Sequence, residues 1–255
     1  MQSSRRPIFE MDKIPVPTNL DQANENLERL AATSRRSFLG QGLATTAAGS
    51  AVALASTSMV SAATRTPSTG STSGVPSLYP GSTTRYFQEI QRDEATHVNI
   101  IIQAIQSLGG TPRPYPTFTG ISNLSASLFT QTASAFENTG VSAYFAAAPY
   151  VQNPAVVSVA LSIALTEAYH ASFVNTTNNL FLVPGYLPYA APLTIAQVTA
   201  AAAPYIVSLN DNGQFPATFS TTPSAQNDID ILNFALLLEF LEATFYYNNV
   251  PRLFR

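Results

Sequence analysis

Four stretches of the chain repeat apolar residues at three- and four-residue steps, and each carries an ionisable group on its apolar face. In RYFQEIQRDEATHVNIIIQAIQSLGG, residues 85–110, Phe87, Ile90, Ile101, Ile105 and Leu108 form one stripe, the spacing of an amphipathic helix. Glu94 and His97 fall on the same stripe, and Gly109-Gly110 ends it ahead of a proline-rich loop. A second helix is predicted over about 122–148, with Ala133, Glu137, Val141, Tyr144 and Ala148 on a shared face. The third, about 154–175, opens on Pro154 in a first-turn position and aligns Val156, Ala160, Ile163, Glu167 and His170. The fourth, about 227–249, starts at Asn227 or Asp228 as a cap and aligns Leu232, Leu236, Glu239, Glu242 and Tyr246. Residues 176–226 are rich in Pro, Gly and Ala, with one short helical candidate near 194–209. They read as a long connection, and the fold class is all-α.

Composition narrows the chemistry that those inward groups can do. With 255 residues, 45% hydrophobic and 11% charged, the chain has enough apolar surface for one ordinary core. A net charge of −3, with the Lys and Arg beyond residue 62 scattered singly, gives no footprint for nucleic acid. Cysteine is absent, which excludes disulfides, thiolate metal sites and thiol catalysis. Any metal must be held by oxygen and imidazole. Buried carboxylates need a compensating charge, yet no Lys or Arg occurs between Arg113 and Arg252.

A bound cation answers that need. Glu and His three residues apart on a helix project towards one point, so Glu94-x-x-His97 and Glu167-x-x-His170 each offer two ligands. With Glu137, Glu239 and Glu242 they make the set of a carboxylate-bridged dinuclear site. The chain has nine Glu and two His, so both His would follow a Glu by three positions roughly one time in a thousand by chance, (9/255)². For Glu137 a surface position is about as good an account as a ligand, and Glu242 also fits an exposed position. Tyr144, Tyr169 and Tyr246 are read as core aromatics with a hydroxyl free to meet a ligand.

The N-terminal third has a different character. SRRSFLG, residues 34–40, resembles a twin-arginine export signal, with Arg35 and Arg36 as the pair and Gly40 where lysine is usual. The following Ala/Gly/Thr run ends in Val60-Ser61-Ala62, a small-residue cleavage pattern, and is too poor in Leu and Ile for a stable membrane span. Residues 1–62 are thus expected to be a signal region, 63–84 a flexible linker, and 85–250 the folded domain. This implies export to the periplasm or the extracellular space.

The segments DIDILNFALLLEFLEATFYY, YFQEIQRDEATHV, FENTGVSAYFAAAP and TEAYHASF resemble the ferritin-like domain of exported bacterial proteins and plant desiccation-related proteins, relatives of the wider ferritin and rubrerythrin group. The resemblance implies a ferritin-like four-helix bundle with long crossover connections. It also implies a dinuclear iron or manganese centre held by Glu239, by Glu94 with His97, by Glu137, and by Glu167 with His170. Glu239 is preferred to Glu242 because Tyr246 follows it by seven residues, as in many first helices of the group. The family's usual first helix stands last here, so the helix order looks circularly permuted. A connection of about 50 residues is ample to cross the roughly 35 Å length of such a bundle. Exchange of the last helix with a neighbouring chain, giving a homo-oligomer, is the competing arrangement. The implied activity is redox chemistry on oxygen or peroxide. The contrasting expectation is a non-enzymatic structural or desiccation- and stress-protection protein that keeps the bundle alone.

Overall fold

The computed structural model describes Gly74 and residues 78–255, all within one unit spanning Thr64–Arg255. The segments read as the export signal and most of the linker lie outside the described residues. Five α-helices are described: α1 Ser82–Ser107, α2 Ala126–Ala147, α3 Pro154–Thr177, α4 Ile195–Ala202 and α5 Ala225–Leu253.

Each long helix begins and ends where local chemistry dictates. The α1 helix stops at Leu108 because Gly109 turns left-handed at φ 76°, and Gly110 N–H donates back to the Ile105 carbonyl at 2.9 Å. Ser125 caps α2 by accepting from Leu128 N–H, and Asn153 caps α3 by accepting from Ala155 N–H, with Pro154 at the first position as the sequence suggests. The cap of α5 differs from the expectation: Ser224 accepts from Asn227 N–H. Asn227 and Asp228 have other partners. Asp228 accepts from the Gln152 and Asn153 N–H groups at 2.8 and 2.9 Å, tying the start of α5 to the start of α3, while Asn227 bridges Ser220 and Tyr150.

The main pairings are α1 with α5 and α2 with α3, and the α2–α5 and α1–α3 contacts close the remaining sides. Phe87 of α1 stacks on Phe254 at 4.4 Å, and Gln88 Nε2 donates to the Phe254 carbonyl, so the start of α1 and the end of α5 meet at the same end of the helices. On α1 the apolar face runs Phe87, Ile90, then Glu94 and His97, then Val98, Ile101 and Ile105; on α3 it runs Val156, Val159, Ile163, then Glu167 and His170, then Val174. A polar layer is thereby set between two apolar clusters, one aromatic around Phe129 and Phe245, the other aliphatic around Ile105 and Leu236.

Two expectations fail in detail. Ala148 is exposed, because α2 ends at Ala147 and a 3-10 turn over Ala148–Tyr150 carries the chain away from the helix face. Tyr169 is 73% exposed; with Leu161 and Leu165 it lines the outer side of α3, opposite Glu167 and His170. By length and composition α3 is the one helix among the described residues able to cross a membrane, but those two ionisable residues are buried inside the fold.

The long connection is partly structured. Its β2 strand, Ile206–Ser208, pairs antiparallel with β1, Thr117–Phe118, in a two-stranded ribbon. The Thr194 capping box starts α4, which lies on α2. Arg113 is buried and spoken for: its guanidinium reaches Asp211 at 3.3 Å and the Asn233 carbonyl at 3.1 Å.

Candidate metal centre

Within the polar layer, Glu94, His97, Glu137, Glu167, His170, Glu239 and Glu242 are all buried, none more than 6% exposed. The structure therefore brings together all seven residues that the sequence singles out. Their arrangement is nearly two-fold. His97 Nδ1 lies 2.9 Å from Glu167 Oε1, 3.4 Å from Glu239 Oε2 and 3.5 Å from Glu94 Oε2. His170 Nδ1 lies 2.9 Å from Glu94 Oε1 and 3.4 Å from Glu137 Oε2. The two imidazoles face each other, with ring centroids 6.0 Å apart and planes 28° from parallel.

Ligand atoms of Glu94, His97, Glu167 and Glu239 lie within 4.8 Å of one another, and so do those of Glu94, Glu137, Glu167 and His170. Glu94 and Glu167 belong to both quartets. Glu137 and Glu239 each belong to one. Glu242 falls outside both quartets but borders them: the same point above Gly140 is 3.1 Å from Glu167 Oε2 and 3.4 Å from Glu242 Oε1.

Two tyrosines hold the outer carboxylates. Tyr144 Oη donates to Glu239 Oε1 at 2.5 Å, and Tyr246 Oη donates to Glu137 Oε1. Burial, with the neighbouring glutamate charge, raises the pKa of both hydroxyls well above the ordinary tyrosine value, so they stay protonated donors. Each leaves the second oxygen of its glutamate, Oε2, turned to the cluster without a partner.

Without a cation, the charges settle unevenly. Burial raises the Glu94 carboxyl, but His170 and His97 outweigh it and hold the group at about 2. Burial and then the Glu94 and Glu137 charges push Glu167 well above the carboxylate range. Burial and the surrounding glutamates do the same to Glu242. Glu239 is raised by burial, partly offset by His97. Burial opposes protonation of the two imidazoles, yet the carboxylates around them raise both. Although they share the two quartets, Glu94 and Glu167 shift in opposite directions. Like charges this close cannot all ionise, so the cluster keeps Glu94 charged between imidazolium groups and leaves others neutral.

A test of fit with a metal is available from the unsatisfied atoms. Among the described residues, ten buried side-chain N and O atoms lack a hydrogen-bond partner, and nine belong to this cluster, including both oxygens of Glu94 and Glu167 and Nδ1 of both histidines. Buried polar atoms are almost always partnered in folded proteins. Here they converge with no hydrogen-bonding geometry between them, which is how ligands around an ion are disposed. A donor set of oxygen with two imidazole nitrogens suits iron or manganese.

Sequence reasoning missed two residues. Asp93 Oδ2 lies 3.5 Å from His170 Nε2, while Arg92 engages Asp93 Oδ1 at 3.0 Å. Burial raises the Asp93 carboxyl, but His170 and Arg92 bring it below its ordinary value. An acidic residue next to Glu94 reads as surface charge in the sequence, and only the approach of α3 makes it an orienting partner for the ring. Gly140 gave a clearer signal: a glycine inside a helix costs about 1 kcal/mol relative to alanine, and here it makes room for Glu167 and Glu242.

Comparison with curated proteins and with solved structures finds no match. A family model for the ferritin-like domain matches residues 26–180. The match begins within the stretch read as a signal region and takes in α1, α2 and α3, ending before α5 with its Glu239 and Glu242. Covering more than half of the chain, it shows that this protein belongs to the ferritin-like domain family.

Proposed function

We propose that the chain is an exported ferritin-like metalloprotein whose α1, α2, α3 and α5 form a four-helix bundle of permuted order around a dinuclear iron or manganese centre. Glu94 and Glu167, which belong to both quartets, would hold the two ions together with His97 and Glu239 on one side and His170 and Glu137 on the other, with Glu242 beside them. The observation that carries the reading is the convergence of nine unpartnered buried N and O atoms at one layer. Bound there, such a metal pair would supply redox chemistry towards oxygen or a peroxide. The protein's part is to bind and orient: the tyrosines fix Glu137 and Glu239, Asp93 aims His170, and the flanking apolar clusters keep bulk water out. Arg113 is committed to Asp211, so among the described residues the two imidazoles are the cations set against these carboxylates.

Metal analysis of the protein purified from its natural compartment tests this. The expected result is two iron or manganese ions per chain, lost in the Glu94→Gln, Glu167→Gln double variant. Absence of metal, with identical melting in iron, manganese or chelator, would overturn the reading and leave the structural, stress-protection role.

A further inference from the structure

We infer that the centre has a built binding pocket for a small, neutral, apolar organic molecule, which makes such a molecule the substrate class of the proposed site. That role rests on the metal reading above; binding itself does not. Between α2, α3 and α5 lies a cavity of about 100 Å³ whose inner wall is Gly140, Glu239 and Glu242. The other lining side chains are apolar apart from the hydroxyl of Tyr144, and that hydroxyl is taken by Glu239.

Small residues on all three helices open the space. Gly140, Ala143 and Ala147 follow one face of α2, Ala160 and Ala164 one face of α3, and Ala235 faces them from α5. Larger side chains there would close it. Protein interiors are close-packed, and an apolar void is destabilising in proportion to its volume. A void ending on the carboxylates is not needed to assemble them, since the ligand quartets are complete on its inner side. Phe145 and Leu161, which also line the cavity, are 48% and 50% exposed, so it reaches the surface between α2 and α3.

The walls select the occupant. No lysine or arginine lines the cavity, so nothing there pairs with an anionic head group, and the apolar lining does not solvate one. A cation would be drawn to the glutamates, but it would have to pass an apolar throat that solvates no charge. A neutral molecule with an alkyl or aryl body meets neither obstacle. A dry cavity of about 150 Å³ holds the six carbons of benzene, so one of about 100 Å³ suits roughly four, with the end of a longer chain and any hydroxyl left at the open mouth.

The test is calorimetric titration of the full protein with 1-hexanol and with hexanoate, in chelator and after metal loading. Saturable 1:1 binding of hexanol in both states is expected, with hexanoate at least tenfold weaker. Ala160→Leu and Ala235→Leu, each filling the cavity away from the ligand quartets, are expected to weaken hexanol binding at least tenfold while metal content stays that of wild type. Having two variants guards against one failing to fold, which helical signal and melting reveal. No saturable hexanol binding in either state, or binding undiminished in a folded filled variant, overturns the inference. Hexanol binding by a protein that takes up no metal would uphold the pocket and sink only the metal centre.

Discussion

Gly140→Ala separates the needs of the helix from those of the site. Alanine in a helix interior is favoured over glycine by about 0.5–1 kcal/mol. The added Cβ would lie 3.1 Å from Glu167 Oε2 and 3.4 Å from Glu242 Oε1, against ordinary contacts of about 3.5–4.0 Å. The carboxylates must therefore retreat by a few tenths of an ångström. In chelator both are free side-chain ends and can do so, leaving the helix gain to raise the melting temperature by about 1–4 °C. With metal bound, Glu167 has no such freedom, because ligand distances tolerate only about 0.2 Å. The overpacking then costs about 1–3 kcal/mol, equivalent to roughly 5- to 150-fold in metal affinity. Melting by calorimetry in chelator, beside a titration with Fe(II) or Mn(II), reads both effects. The variant is expected to melt higher without metal and to gain less from it. An equal rise in both conditions, with wild-type affinity, would refute the assignment of Glu167 to the ion.

Two further outcomes are expected. In chelator, Glu167 and Glu242, raised above their ordinary 4.5, hold protons that the unfolded chain releases, so stability falls as pH rises through 4.5; the raised histidines add a further loss above 6.5. Glu94, lowered to about 2, works the other way and contributes stability lost as pH falls from 4.5 towards 2. The metal-free melting temperature is thus expected to peak near pH 4–5 and decline towards pH 8, and a flat or rising profile over pH 5–8 would contradict the charge distribution derived above. Replacing Arg35 and Arg36 together with Lys is expected to leave the precursor inside the cell, as fractionation and immunoblotting would show; unchanged secretion rejects the twin-arginine signal.

The helices were legible because each long one carries apolar residues at three- and four-residue steps, and α1 also has an unambiguous stop in Gly109-Gly110. The site was legible for a related reason. Glu94, His97, Glu167 and His170 interrupt apolar stripes, and an ionisable residue on a buried face must have a partner. What the sequence could not display is anything set by the meeting of two elements distant along the chain. Asp228 looked like a cap of its own helix, but its carboxylate serves the N–H groups at 152 and 153. Tyr169 precedes a buried histidine, and one step around a helix is enough to turn it outwards. The ribbon of Thr117–Phe118 with Ile206–Ser208 is too short to carry a period of its own. Glu242 was left open between ligand and surface, since α5 is buried almost all round through its middle and its pattern does not mark a single inner face.

The pairing of α1 with α5 also sets an order in time. The last residue of α1, Ser107, and the first of α5, Ala225, are 118 positions apart. At a synthesis rate of about 5–20 residues per second, that interval lasts roughly 6–24 s. Through it, Phe87, Ile90 and Ile101 lack the helix that covers them, and Glu94 and Glu167 lack Glu239 and its tyrosine-held geometry. The nascent chain therefore carries an open apolar face, a state that favours a holding chaperone, and an incomplete set for the proposed metal, which would hold an early ion weakly. In the proposed centre, full coordination would wait for α5 to dock, so assembly of the site would report that α5 has been made and packed.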